Sequence, residues 1–270
     1  MGMQHHEGAA LAAEEESPGL VRRPRRKAET KPGAIDRLGL WLSTSRVIDG
    51  LWVGTMESKP HPGLRRVEDA LRLIKSHDAL NYSRVIRHLE RIWVNLLPGD
   101  LAHYDASMGA CVFDERYVVQ EATTPERIAS TIIHEATHAR LEHWGIGYDE
   151  DRRARIETIC LRRELNFVNR LPAAEALREE VARTVAWYAG NHDYFSNASF
   201  EQREAQGQAE TLRHLGAPDW VFRFAMKLRA ARVWIHRITG GVRRATADKP
   251  IHPSCAPKGD RTVAPSGGEA

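Results

Sequence analysis

The chain has 270 residues, of which 42% are hydrophobic and 28% charged, and its formal net charge is +3. These are ordinary values for a globular protein that can bury a core. The mild charge, spread along the chain apart from one short basic run at residues 22–27 (RRPRRK), excludes a strongly basic composition. No DNA- or RNA-binding signature accompanies that run, so we predict no specific nucleic-acid partner.

Three widely spaced cysteines, Cys111, Cys160 and Cys255, indicate neither a disulfide framework nor a CxxC zinc knuckle. The first residues lack the basic and apolar regions of a signal peptide. No stretch approaches the ~18–20 apolar residues that a membrane-spanning helix needs. We therefore expect a soluble, cytoplasmic protein with reduced thiols.

Residues 1–35 and 240–270 are rich in charged residues, Pro, Gly and Ser and have no apolar periodicity. This composition predicts a disordered N-terminal arm and a disordered C-terminal tail. The remaining residues, 36–239, have the size of a single domain.

The first half of this domain combines predicted strands and helices. At least one strand is expected within 39–53, because the segment alternates loosely between glycines. Apolar residues at intervals of three and four predict an amphipathic helix over 64–77, and a shorter helix follows at 80–89. The apolar runs 91–97 (RIWVNLL) and 111–119 (CVFDERYVV) predict two further strands.

A strong helix start lies at 123–126 (TTPE). Either Thr124 is the N-cap with Pro125 at the first helical position, or Thr123 and Glu126 form a capping box. Both alternatives begin a helix at the same place, and it should end near His143 before two glycines.

Four more helices are predicted, at 151–170, 173–189, 198–215 and 218–238. All predicted strands therefore precede the capped helix. The sequence predicts an α+β fold with a small sheet first and an all-helical C-terminal part afterwards.

The capped helix contains the motif His134-Glu135-Ala-Thr-His138, an HExxH. Residues four apart on a helix differ by about 40° in azimuth and about 6 Å in rise, so both imidazoles can reach one ion. Zinc bound by histidine at roughly 2.0–2.1 Å, with one water retained, lowers the pKa of that water toward about 7. Glu135 is then placed to act as the general base. Manganese or cobalt would suit the same ligands.

A catalytic zinc site needs a third protein ligand. His143 points about 140° away from His138 around the helix, and Glu142 lies about 12 Å in rise from His134, so both fail on geometry. Glu157, nineteen residues after His138 on the next predicted helix, can reach the ion if that helix returns antiparallel.

The helical face of Glu157 is largely apolar, since it also carries Cys160, Leu161 and Val168. A carboxylate on such a face must be paired, protonated or bound to metal. Glu157 is therefore either the third ligand or the partner of an arginine such as Arg140 or Arg153.

Glu164 lies seven residues after Glu157 and shares its face. Histidine ligands usually donate their second ring N–H to a carboxylate or carbonyl, which fixes the ring. We predict that Glu164 accepts such a bond from a ligand imidazole.

Over residues 111–170 the sequence resembles the gluzincin group of zinc metallopeptidases, in which HExxH is followed by a metal-binding glutamate after about eighteen to twenty residues. The resemblance implies one zinc ion held by His134, His138 and Glu157, with Glu135 as base. It implies hydrolysis of peptide or protein substrates in a zincin-like domain. There the motif helix packs beneath a sheet whose edge strand aligns the substrate by strand addition, for which 111–119 is the candidate.

The sequence departs from the gluzincin pattern at two positions. Arg140 stands two residues after the second histidine, where an apolar residue is usual, and Leu161 stands where an aspartate often orients a histidine. The residue that stabilises the oxyanion matches no specific motif. The candidates lie in WYAGNHDYF and elsewhere: Tyr188, His192, Tyr194, Tyr148 and Tyr117.

Two other functions compete with a peptidase. The chain can be a non-proteolytic metal-binding protein, although the second ExxH of a di-iron bundle is absent. It can also be a helical binding module in which 218–238 contacts an anionic surface such as a membrane through its basic residues, Arg223, Lys227, Arg229 and Arg232.

Overall fold

The computed structural model describes residues 31–57 and 61–218, together with residues 220, 221 and 224. Most of the predicted arm at 1–35, the predicted tail at 240–270 and most of the predicted helix at 218–238 lie outside these residues. The first described helix begins at Ala34. Among the helices described, none combines the length and the apolar character that a membrane crossing requires.

The described residues form eight α-helices, one short 3₁₀ turn and five strands. The helices are α1 (Ala34–Leu42), α2 (Pro62–His77), α3 (Ala79–His88), α4 (Glu115–Val119), α5 (Pro125–His143), α6 (Glu150–Val168), α7 (Glu175–Gly190) and α8 (Asn197–His214), and the 3₁₀ turn is His192–Phe195. The strands are β1 (Thr44–Ile48), β2 (Leu51–Thr55), β3 (Arg91–Asn95), β4 (Ala102–Asp105) and β5 (Ala110–Asp114).

The strands form one mixed sheet in the order β1-β2-β3-β5-β4. β1 and β2 are an antiparallel hairpin whose turn residues, Asp49 and Gly50, have φ values of 48° and 88°. Positive φ at both central positions is what a two-residue hairpin turn of type I′ requires. β2, β3 and β5 are parallel, and β4 pairs antiparallel with β5 at the end of the sheet.

The two faces of the sheet are covered differently, because successive side chains on a strand point to opposite faces. One face, with Ile92, Cys111 and Phe113, belongs to the main core, which is shared with α2, α3, α5, α6 and α7. The other face is smaller and centres on Trp93, which packs near Leu40 of α1. Gly39 permits this approach, since a Cβ there would lie 2.9 Å from the Trp93 ring.

The helix α5 lies between the sheet and the C-terminal helices, and every residue from 128 to 139 is buried. A turn containing Gly145, with φ of 77°, reverses the chain into α6. Ser130 contacts Glu164 while His138 approaches Glu157, so α6 runs antiparallel to α5. This return is what the assignment of Glu157 required.

The predicted α+β class is confirmed, with all described strands before α5 and helices after it. The helices predicted at 64–77, 80–89, 151–170, 173–189 and 198–215 correspond to α2, α3, α6, α7 and α8, and the strand at 91–97 is β3. The segment 39–53 contains the end of α1 and then two strands, where at least one was expected.

The prediction of one strand over 111–119 is wrong in its second half. Only 110–114 is a strand, and 115–119 is the helix α4. The Asp114 side chain accepts a hydrogen bond from the backbone N–H of Arg116 at 3.0 Å and so caps α4. β5 is also an inner strand, so the edge strand beside the motif helix is β4.

Candidate metal centre

The motif helix begins as the sequence predicts. Thr124 is the N-cap, its side chain accepts from the backbone N–H of Arg127 at 3.4 Å, and Pro125 is the first helical residue. The motif lies in the middle of this helix, where His134, Glu135 and His138 are 1%, 1% and 3% exposed. The centre is therefore a buried one, shielded from water by the sheet and by α6.

Glu157 of α6 lies between the two motif histidines. Its Oε2 is 3.2 Å from Nε2 of His134, and its Oε1 is 3.4 Å from Nε2 of His138. Two ligand atoms bound at about 2.0–2.1 Å to one zinc ion at the tetrahedral angle lie about 3.3 Å apart. Each of these two contacts thus has the spacing of two ligand atoms bound to one zinc ion.

The second nitrogen of His134 faces Glu164. Nδ1 is 3.1 Å from Glu164 Oε2, and the hydroxyl of Ser130 donates to Glu164 Oε1 at 2.5 Å. Glu164 is 3% exposed, so these bonds form in a medium where they are strong. The Glu164 carboxylate orients the His134 ring so that Nε2 faces Glu157. Glu164 therefore makes the kind of contact that the sequence predicts for it.

Tyr148, in the turn between α5 and α6, completes the surroundings of Glu157. Its hydroxyl donates to Glu157 Oε1 at 2.5 Å, and its ring stands edge-on to His138 at a centroid distance of 5.6 Å. Burial, together with the charge and hydrogen bond of Glu157, raises the pKa of Tyr148 well above its usual range. In sequence Tyr148 was only one of several oxyanion candidates, and its contact with Glu157 was not foreseen.

Glu135 points to a different neighbour, the strand β4. Its carboxylate accepts a hydrogen bond from the backbone of Tyr104. Its Oε2 is buried and has no hydrogen-bond partner among the described residues. Burial has the largest effect on the pKa of Glu135 and raises it. The charge of His134 lowers this pKa and the carboxylates of Glu157 and Glu164 raise it, so that the net value is about 8. A carboxylate so placed can hold a proton near neutral pH and has one oxygen free to exchange it.

A fourth group with metal-binding chemistry lies beside the histidines. Ligand atoms of His134, His138 and Cys160 all lie within 4.8 Å of one another, and Cys160 is fully buried one helical turn after Glu157. Sequence reasoning treated Cys160 only as an apolar neighbour of Glu157. Its spacing of three residues from Glu157 was the signal that it shares the same helical face.

The two arginines predicted as alternative partners of Glu157 contact other groups. The guanidinium of Arg140 is 4.2 Å from the centroid of the Trp144 ring, and Arg153 donates to the carbonyl of Phe195 at 3.2 Å. The contacts of Glu157 with both motif histidines favour the ligand interpretation over the arginine pair.

Two of the other predicted oxyanion candidates, Tyr188 and Tyr194, lie in an aromatic cluster. Tyr188 stands edge-on to Phe195 at 4.9 Å, and Tyr194 packs against Trp187 at 5.0 Å. The backbone of His192 begins the 3₁₀ turn, but its side chain lies outside the described atoms. Tyr117 lies on α4, with its hydroxyl 3.4 Å from that of Thr131. The oxyanion role of these residues stays a prediction.

The centre as a whole gathers three buried carboxylates, Glu135, Glu157 and Glu164, around two imidazoles. With all three carboxylates ionised, this group of five would carry more negative than positive charge even if both imidazoles were protonated. A buried excess of negative charge is stabilised by protons or by a bound cation. Comparison with protein-family models and with curated proteins gives no match to this chain, so the assignment of this centre rests on its own residues.

Proposed function

We propose that the protein is a zinc-dependent hydrolase of the zincin type, acting on amide bonds of peptides or proteins. His134, His138 and Glu157 are the ligands, and Glu135 is the general base. One observation supports this above the rest. The Glu157 carboxylate lies 3.2 and 3.4 Å from the Nε2 atoms of both histidines, while Glu135 Oε2 is buried and has no hydrogen-bond partner among the described residues.

The roles of the residues follow from their positions. When bound, zinc in such a site supplies a Lewis acid that makes water nucleophilic at neutral pH and lowers the pKa of nearby acids. Glu135 Oε2 accepts the proton of the attacking water and delivers it to the leaving amine. Glu164 holds His134 in one orientation through Nδ1, and Tyr148 holds Glu157 through Oε1.

The surroundings of α5 support the zincin-like part of the proposal. The helix packs under the sheet, and the terminal strand β4 has its Tyr104 backbone next to Glu135. In the gluzincin arrangement the substrate pairs with such an edge strand. We therefore assign substrate alignment to β4, and no longer to residues 111–119.

Substrate access requires a movement of the protein. The ligand candidates are between 0 and 3% exposed, and all four residues of β4 are buried. A cavity of about 30 Å³ reaches Glu164 and is flanked by the ion pair of Arg127 and Glu180. It has room for a few water molecules and none for a peptide. The proposed enzyme is thus closed in the described conformation, and hydrolysis depends on opening.

Cys160 favours a second candidate function. Four protein ligands around zinc make a closed, structural site, whereas three leave a position for water. If Cys160 binds the ion together with His134, His138 and Glu157, the protein is a non-catalytic zinc protein, and full burial is what such a site prefers. The two candidates share the metal and differ in whether Cys160 binds it.

The test of the proposed function combines metal content with hydrolysis. Dialysed wild-type protein is expected to retain about one zinc ion per chain, and a His134→Ala/His138→Ala variant none. Glu135→Gln should retain zinc and lose hydrolysis of a peptide-library substrate. Zinc retained by the double variant would exclude the site. Zinc bound without hydrolysis by the wild type, with a thiolate-to-metal charge-transfer band after cobalt substitution, would replace the enzyme by the structural site.

A further inference from the structure

Three arginines from three helices converge on one shallow concavity. Arg84 of α3, Arg140 of α5 and Arg163 of α6 line it, together with polar and apolar neighbours, Asn81, Thr137 and Ala136. All three guanidinium side chains belong to half-buried residues. The α5 residues that face this concavity differ from those that face the metal centre, so the two sites lie on different sides of one helix.

The three arginines of this concavity form no direct ion pair with an acidic side chain in the described part of the chain. Within residues 31–57 and 61–218, no carboxylate forms an ion pair with Arg84, Arg140 or Arg163. The nearby Asp78 is already engaged, since it accepts from Asn81 at 2.8 Å and lies 3.2 Å from Arg170. Arg127 is also half-buried, but it is paired with Glu180.

Neutral groups hold two of the guanidiniums in place without neutralising them. Arg84 donates to the side-chain carbonyl of Asn81 at 2.8 Å, and Arg140 lies 4.2 Å from the centroid of the Trp144 ring. A cation–π contact and an amide hydrogen bond fix orientation but leave the positive charge intact. The concavity is therefore preorganised, and preorganisation reduces the entropy cost of binding a ligand.

The arginines are close enough to repel one another. Burial lowers the pKa of Arg84, and the charges of Arg163, Arg140 and Arg170 lower it further against the opposing effect of Asp78. The folded protein thus keeps like charges together at an energetic cost that a bound anion would offset.

We propose that the concavity formed by Arg84, Arg140 and Arg163 is a binding site for a phosphate group. A tetrahedral oxyanion offers several acceptor oxygens to guanidiniums that arrive from different directions, and guanidinium–phosphate pairs are short and charge-assisted. The three arginines supply donors from three helices, so one small anion would be bound on several sides. The ligand class is inorganic phosphate or a small phosphomonoester.

The proposal is tested by titrating the full chain with inorganic phosphate at constant ionic strength, with chloride as the balancing salt. Wild-type protein should show a saturable rise in its melting temperature and a matching calorimetric binding isotherm. Arg163→Gln should weaken phosphate binding by about 10-fold or more, because a charged hydrogen-bond partner is lost. Arg162→Gln removes the same charge from the adjacent exposed position, which does not line the concavity, and should bind as wild type does.

Three results would overturn the site. They are no phosphate effect beyond that of chloride, an equal loss in Arg162→Gln, and binding of a single-stranded oligonucleotide without binding of phosphate or of a phosphomonoester. Arg84→Gln lies on a different helix and should also weaken phosphate binding. Weaker binding in both variants would therefore not be explained by a local folding defect at position 163. A comparison of inorganic phosphate with a sugar phosphate distinguishes the free ion from a phosphomonoester as the preferred ligand.

Discussion

The helix α5 has two clusters of opposite charge on its sides. On one side three carboxylates, Glu135, Glu157 and Glu164, surround the motif histidines and are between 0 and 3% exposed. On the other side Arg84, Arg140 and Arg163 line an open concavity and are half-buried. Each cluster gathers groups of one charge type that would repel one another in isolation.

The difference between the clusters lies in how their groups are connected. The acidic cluster is connected internally, because Glu157 and Glu164 contact His134 through its two ring nitrogens. The basic cluster is connected to neutral partners, the Asn81 amide and the Trp144 ring. A closed, connected cluster suits a small cation bound permanently, and an open one suits an anion that exchanges with solvent.

The largest effect is expected at Glu157. Glu157→Ala removes a carboxylate that contacts both motif histidines, so zinc content after dialysis should fall to the level of the His134→Ala/His138→Ala variant. Cys160→Ser is the control, since a catalytic site with three ligands does not need the thiolate. Zinc lost from the Cys160→Ser variant and kept by Glu157→Ala would assign the third ligand to cysteine instead.

A smaller effect is expected at Glu164, which acts on the metal only through His134. Glu164→Gln keeps the size of the side chain but weakens the bond to Nδ1, so zinc affinity in a competitive chelator titration should fall by about 10–100-fold. Ser130→Ala removes only the hydroxyl that supports Glu164 and should reduce affinity less. Unchanged affinity in Glu164→Gln would contradict the orienting role.

The acidic cluster was largely predictable from sequence, because its members repeat at helical spacing on two helices. His134 and His138 are four apart in a helix with a clear start signal, and Glu157 and Glu164 are seven apart on an otherwise apolar face. Local periodicity determines which side chains share a face. It does not determine which partner an acidic side chain chooses, and so the contacts of Tyr148 and Cys160 with this centre were missed.

The basic cluster and the edge strand were not predictable in the same way. Arg84, Arg140 and Arg163 come from three helices, and only the packing of α3, α5 and α6 brings them together. β4 has four residues, of which His103 and Asp105 are polar although buried, so its pattern resembles a loop. The start of α4 depends on one side-chain cap by Asp114. The residues around it have high β-propensity, so the sequence pattern of 111–119 indicated a continuous strand.

Repulsion within the basic cluster should be visible as a salt dependence of stability. In phosphate-free buffer, added sodium chloride screens the charges of Arg84, Arg140 and Arg163, so the free energy of unfolding of wild-type protein should rise by about 0.5 kcal/mol. Arg163→Gln should show a weaker dependence in urea titrations, and the exposed control Arg162→Gln should keep the wild-type slope. Equal slopes in all three proteins would mean that the arginines do not repel appreciably.

The smallest effect is expected at His88, which lies at the margin of the basic cluster. Burial, together with the smaller effects of His143, Arg140, Arg87 and Arg84, lowers its pKa from about 6.5 to about 4. As the pH falls from about 6.5 to 4, the unfolded chain binds a proton at this residue before the folded protein does. Stability is therefore complete above this window and decreases through it.

His88→Gln should lose less stability on acidification than wild type, whereas His214→Gln, at an exposed position on α8, should follow the wild type. The same comparison can be repeated with phosphate present, because an anion bound among the arginines would reduce the positive potential at His88 and raise its pKa.

The loss of stability of wild-type protein on acidification should then begin at the same pH but become smaller. If phosphate reduced the acid loss of stability equally in His88→Gln, this effect would not depend on His88. The anion would then act on the charges of the arginines only.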